Sequence, residues 1–76
     1  MWRLGKLQRL SGRDVCKILE AHGFARVRQR GSHIVMQKRS EQMTTTVPVP
    51  DHPELKTGTL ASIIRQSGLP KALFEA

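Results

Sequence analysis

Three arginines, a serine and a histidine fall within one short stretch of this chain, and together they could handle a phosphodiester. The run ARVRQRGSH sets Arg26, Arg28 and Arg30 at alternating positions, passes through Gly31 and Ser32, and opens the next segment with His33. Read as a strand, that alternation lines three guanidiniums along one face or rim. Guanidiniums grip phosphate oxygens through paired hydrogen bonds, and backbone N–H groups around a glycine turn can join them. Imidazoles exchange protons near neutral pH. RNA carries its own nucleophile, the 2′-hydroxyl. A histidine can deprotonate that hydroxyl or protonate the leaving 5′-oxygen, while arginine stabilises charge on the phosphorane. This chemistry needs no metal. The same residues also fit a plainer role, a solvated basic face with an inert histidine beside a turn.

The other reactive side chains are fewer. His52 lies in DHPELK with Asp51 and Glu54, where it could act as a second acid–base group or orient RNA. His22 sits beside Gly23 at the expected end of a helix, where interaction with the helix dipole accounts for it. Cys16 is the single cysteine, so an intramolecular disulfide and a multi-thiolate metal site are excluded, and its place between Val15 and Lys17 suits packing. No histidine pair has a recognised ligand spacing, and no P-loop or GxGxxG is present. Neither a metal nor a cofactor is expected. Trp2 and Phe24 could stack on bases, although Trp2 suits packing in the tail and Phe24 suits the core.

The elements that must hold these groups follow from local pattern. Ser11 with Asp14 three residues on is a capping-box signal, with Leu10 and Val15 placed as a staple. Val15, Ile18 and Leu19 then recur at helical spacing up to the stop at His22-Gly23. Phe24 to Arg30 and His33 to Lys38 read as two strands joined by a tight turn at Gly31. On the second strand Ile34 and Met36 share one side, and His33, Val35 and Gln37 share the other. Arg39 to Met43 reads as a loop. Thr44 to Val49 is a third strand that Pro48 and Pro50 confine to an edge or bring to an end. After a connection over Asp51 to Gly58, Thr59 is placed to cap a second helix carrying Leu60, Ile63 and Ile64 and ending at Ser67-Gly68. Pro70 to Phe74 forms a last turn. The order α-β-β-β-α packs most simply as an α+β fold, a three-stranded antiparallel sheet with two helices on one face. The other sheet face is left free.

Size and charge bound what such a fold can do. With 76 residues and a mass of 8.6 kDa, the chain is expected to form a single domain over residues 10–76, preceded by a lead-in over residues 1–9. A full dinucleotide-binding fold and a barrel enzyme do not fit. Thirteen Lys and Arg against six Asp and Glu give a formal charge of +7, which favours polyanions, nucleic acid first. No apolar run approaches the roughly 20 residues of a membrane span. The single cysteine fits a cytoplasmic setting.

The run LSGRDVCKILEAHGFARVRQRGSHIVM, followed by VPVPDHPELKTGTLASIIRQSGL, resembles the HicA family of toxins from toxin–antitoxin pairs. The likeness spans Leu10 to Phe74. It rests on separated features in the right order: SGR, GF before an Arg-rich strand, RQRGSH, VPVP and GTLASIIRQSGL. The resemblance implies a double-stranded-RNA-binding-like fold and an mRNA-cleaving ribonuclease that inhibits translation and growth. It maps the family's catalytic histidine onto His33, with Arg28 and Arg30 on phosphate, Gly31 and Ser32 shaping the turn, and Arg26 auxiliary. Lys38 could reach the RNA backbone if it shares that face. A HicB-type antitoxin covering the active-site region is implied as partner, and operator DNA would be bound through that antitoxin. Two positions depart from the family pattern. Ile34 stands where many members have a second histidine after GSH. Pro50 stands where many have one after VPV, and here the histidine is His52.

Two other readings use the same charge and fold: a noncatalytic RNA-binding module, and a basic domain that docks an acidic protein. Binding that survives His33→Ala, with no cleavage by the intact chain, marks the first. Affinity for an acidic protein and none for RNA marks the second.

Overall fold

The computed structural model describes residues 9–75; Trp2, Leu4 and Leu7 of the expected lead-in lie outside them. The elements are α1 (Gly12–Ala21), β1 (Ala25–Arg30), β2 (His33–Arg39), β3 (Thr44–Pro50), α2 (Thr57–Ser67) and a single 3-10 turn at Lys71–Phe74. This is the α-β-β-β-α order expected from the sequence.

Helix α1 starts where its capping box predicts. The Ser11 hydroxyl accepts from the Asp14 N–H at 3.0 Å, and the Asp14 carboxylate accepts from the Ser11 N–H at 3.1 Å. Leu10 and Val15, the staple positions on either side of the cap, are both buried. The helix buries Val15, Cys16 and Leu19 and stops at His22, after which Gly23 turns the chain with φ 97°. His22 Nδ1 lies 2.9 Å from the Ile18 carbonyl oxygen, so this histidine belongs to the helix end.

The three strands pair antiparallel in the order β1-β2-β3. Gly31 has φ 58° and Ser32 does not have positive φ, which matches a two-residue hairpin of the type with glycine at its first central position. The prolines Pro48 and Pro50 sit on β3, an edge strand, where a missing N–H leaves no inner ladder bond unmade. One face of the sheet carries Ile34 and Met36 from β2 and Val47 and Val49 from β3. These pack in one cluster with Leu19 of α1 and Leu60, Ile63 and Ile64 of α2. Both helices therefore lie on one side of the sheet.

The core holds the fold together. Burying a side chain of this size stabilises by about 1.5–3 kcal/mol, whereas an exposed pair such as Arg9 and Glu54 at 3.8 Å contributes about 1 kcal/mol at most. Phe74, fully buried, brings the C-terminal turn into the same cluster. Among the described residues no helix is long and apolar enough to cross a membrane.

Helix α2 departs from expectation. It begins at Thr57, not after a cap at Thr59, and its N-cap Lys56 makes no side-chain capping bond. A non-local tether explains the early start. The N–H of buried Leu55 donates to the Leu10 carbonyl at 2.8 Å, which fixes the chain just ahead of the helix. At the other end Gly68 adopts φ 73°, as the glycine stop requires. Pro70 is the N-cap of the final turn, one position before its first residue.

Candidate nucleic-acid interface

The register of the sheet decides which basic side chains share a face. Directly paired residues of neighbouring strands point to the same side. His33 pairs with Arg30 on β1 and Pro50 on β3, and Val35 pairs with Arg28 and Pro48. These six residues occupy two adjacent rows on the face away from the helices, at its hairpin end. Arg28, Arg30 and His33 are exposed, and Val35 is buried among its row. Neighbouring strands lie about 4.8 Å apart, so the His33 imidazole has a guanidinium on one flank and a proline ring on the other. Among the described residues no hydrogen bond or ion pair holds the side chains of Arg28, Arg30 or His33. All three are available to a ligand.

Arg26 does not join them. The pairing shifts between Arg26 and Arg28, leaving Val27 as an extra residue, and Arg26 pairs with Met36. Met36 belongs to the buried face, so Arg26 points to the helix side of the sheet. The alternation that suggested three guanidiniums on one face is broken by this bulge. The cause is Phe24, which has the same parity as all three arginines yet is 4% exposed in the core. A strand without a bulge would turn Phe24 outward with them.

Lys38 is likewise on the helix side, sharing parity with Ile34 and Met36. Its ammonium lies 5.9 Å from the centre of the Phe24 ring, and it is five residues along β2 from His33. The structure therefore does not bring Lys38 to the face of His33. Gln37 and Thr46 do share that face, joined by a 3.1 Å hydrogen bond from the Gln37 amide to the Thr46 hydroxyl.

The turn is braced from outside the sheet by a set of contacts that local sequence pattern did not reveal. Beyond the His33–Pro50 pair, the Asp51 N–H donates to the Ser32 carbonyl. The Asp51 carboxylate accepts from Arg13 Nε at 3.2 Å and from a second guanidinium nitrogen at 3.4 Å. This hydrogen bond, and then the carboxylate's charge, raises the Arg13 pKa above its ordinary value. The Gly12 N–H donates to the His52 carbonyl at 2.9 Å. The first residues of α1 thus hold the 50–52 segment, and that segment holds the turn carrying His33. No local signal pointed to this link, because 38 residues separate Arg13 from Asp51.

His52 is exposed and sits at the same end of the sheet. Its Cα is at most about 13 Å from that of His33, given the cross-strand spacing and two further residues. Cys16 is buried, and burial pushes its thiol pKa up. It stays a neutral thiol, poorly suited to nucleophilic attack.

A small α+β domain with one basic sheet face that the other described residues leave uncovered is the class this geometry defines. A family model described as HicA toxin of bacterial toxin-antitoxin matches residues 12–69. The chain belongs to the HicA toxin family. No curated protein sequence matches it significantly.

Proposed function

We propose that this chain is a metal-independent endoribonuclease that cleaves mRNA and so inhibits translation and growth. The observation that carries the proposal is the shared placement of His33, Arg28 and Arg30 on the sheet face that the other described residues leave uncovered. Family membership supports the toxin role. Arg28 and Arg30 bind the scissile phosphate and its neighbour, and Gly31 and Ser32 shape the turn that presents His33. The 2′-oxygen attacks the adjacent phosphorus, and the bond from phosphorus to the 5′-oxygen breaks. His33 takes the proton from the 2′-hydroxyl or supplies one to the 5′-oxygen. The products are a 2′,3′-cyclic phosphate and a 5′-hydroxyl. His52, at the same end of the sheet, is the candidate for the second proton transfer.

The natural counterpart of such a toxin is an antitoxin, here one of HicB type. Its carboxylates would occupy the positions of RNA phosphates and inhibit by covering this face. Operator DNA falls to the antitoxin.

The test compares wild type with His33→Ala on end-labelled single-stranded RNA in EDTA, after circular dichroism shows both folded. Cleavage by wild type is expected to fall by about 10²–10⁴-fold in the variant, the usual contribution of a general acid or base. Fragments carrying only 5′-phosphate ends would refute attack by the 2′-hydroxyl. Equal cleavage by both proteins would remove His33 from the chemistry.

A further inference from the structure

The bulge at Val27 leaves two sets of basic side chains on opposite sides of one strand. Arg28 and Arg30 project from the open face. Arg26 lines a shallow groove of about 280 Å3 between β1 and α1, together with Arg13, Cys16, Lys17 and Glu20. Arg13 is engaged by Asp51. Among the described residues the side chains of Lys17 and Arg26 make no hydrogen bond or ion pair. Nor is β1 enclosed: it is an edge strand whose six residues are all exposed.

The geometry points to an extended RNA path: single-stranded RNA engaged at His33 crosses the β1 edge and lays its backbone phosphates in the α1–β1 groove against Lys17 and Arg26. This inference rests on the ribonuclease reading and adds the direction in which the substrate runs. Charge complementarity favours a polyanion here. Two cations whose side chains make no hydrogen bond or ion pair, Lys17 feeling only the through-space attraction of Asp14, face solvent from a groove in a chain of formal charge +7. Among the described lining residues Glu20 supplies the negative side chain. The bulge also explains how one strand can serve both sides. In a regular strand Arg26 would stand in line with Arg28, and the groove would lose one of the two cations that hold no ion pair.

The experiment measures RNA affinity against salt concentration for the full chain carrying His33→Ala, which keeps the RNA intact. The probe is a fluorescent single strand of about 12 nucleotides, within the range that small single-strand-binding domains occupy. Adding Lys17→Ala and Arg26→Ala is expected to weaken binding at low salt. The slope of log K against log salt should become shallower by about 1.4, the loss of two single-strand phosphate contacts. A dinucleotide, too short to cross the edge, should bind both chains alike. Glu20→Gln should tighten binding of the longer strand, a gain that unfolding cannot produce. Unchanged slope and affinity in the Lys17 and Arg26 variant would overturn the path while leaving the ribonuclease reading intact. A His33→Ala chain that binds neither RNA would overturn both. If the two cations proved necessary only for an acidic protein, the groove would belong to that partner and the RNA path would be wrong.

Discussion

Replacing Gly12 by alanine sets two effects of opposite sign against each other. Gly12 is the first residue of α1, and helix propensity alone makes Gly12→Ala stabilising by up to about 1 kcal/mol. The packing says otherwise. A Cβ at this position would lie 1.9 Å from the Pro50 carbonyl oxygen, 2.9 Å from its carbon and 3.2 Å from the Asp51 Cα. All three atoms are backbone, so no side chain can rotate away. Ordinary carbon–oxygen contacts begin near 3.3 Å, so the helix start and the end of β3 must separate by more than about 1 Å. Overpacking of this kind costs about 1–3 kcal/mol. The Gly12 to His52 hydrogen bond at 2.9 Å is stretched in the process, at a further cost of about 1 kcal/mol. The net expectation is a loss of about 1–3 kcal/mol, or roughly 5–20 °C in melting temperature for a domain of this size. Urea unfolding followed by far-UV circular dichroism measures it. Because Pro50 is the cross-strand partner of His33, RNA cleavage should also drop by more than the unfolded fraction explains. A variant as stable as wild type, or more so, would refute the close approach.

Two further substitutions probe the helix starts. At Gly58, early in α2, an added Cβ meets nothing within 4 Å, so Gly58→Ala should stabilise by about 0.5–1 kcal/mol in the same urea assay; a loss would refute a helical, open position for residue 58. Asp14 accepts the Ser11 N–H, and this bond, then the Ser11 hydroxyl, holds its carboxyl below the usual range. A lowered folded pKa adds stability that is fully present above the unfolded value, about 3.9, and is lost as pH falls through the folded value. Asp14→Ala should therefore destabilise at pH 7, and its gap from wild type should close on acidification below about pH 4. A gap that stays constant would show that the carboxylate charge contributes nothing.

Much of this fold was legible because its signals are local. The Ser11–Asp14 box, the helical spacing of Val15 and Leu19, and the alternation of Ile34 and Met36 each report a choice made within a few residues. Two prolines on β3 likewise limit that strand to an edge whatever surrounds it. The signals that failed depend on distant partners. Thr59 is an acceptable cap residue, but the Leu55–Leu10 bond had already fixed the chain upstream. The Arg13–Asp51 brace joins residues far apart in the chain, and nothing in either neighbourhood specifies the other. His33, Arg28 and Arg30 share a face because a turn glycine and the pairing of β1 with β2 suffice to bring them together. Lys38 was offered only on condition that it shares the face of His33, and alternation along β2 puts it with Ile34 on the other side.

The bulge is the instructive case, because the sequence contained the conflict that requires it. Phe24, Arg26, Arg28 and Arg30 all fall on even positions, so a regular strand must send all four the same way. Exposing Phe24 would forfeit about 1.5–3 kcal/mol of burial, and turning the arginines inward would bury charges without partners, which costs more. Neither regular register is acceptable. One extra residue between the aromatic and the outer arginines resolves the clash, and Val27, 43% exposed, is that residue. The division of the arginine series then follows from where the chain had to change parity. Arg26, on the Phe24 side of the shift, stays with α1, while Arg28 and Arg30, beyond it, reach the face of His33. A core aromatic away from that face thus sets which arginines share it with His33.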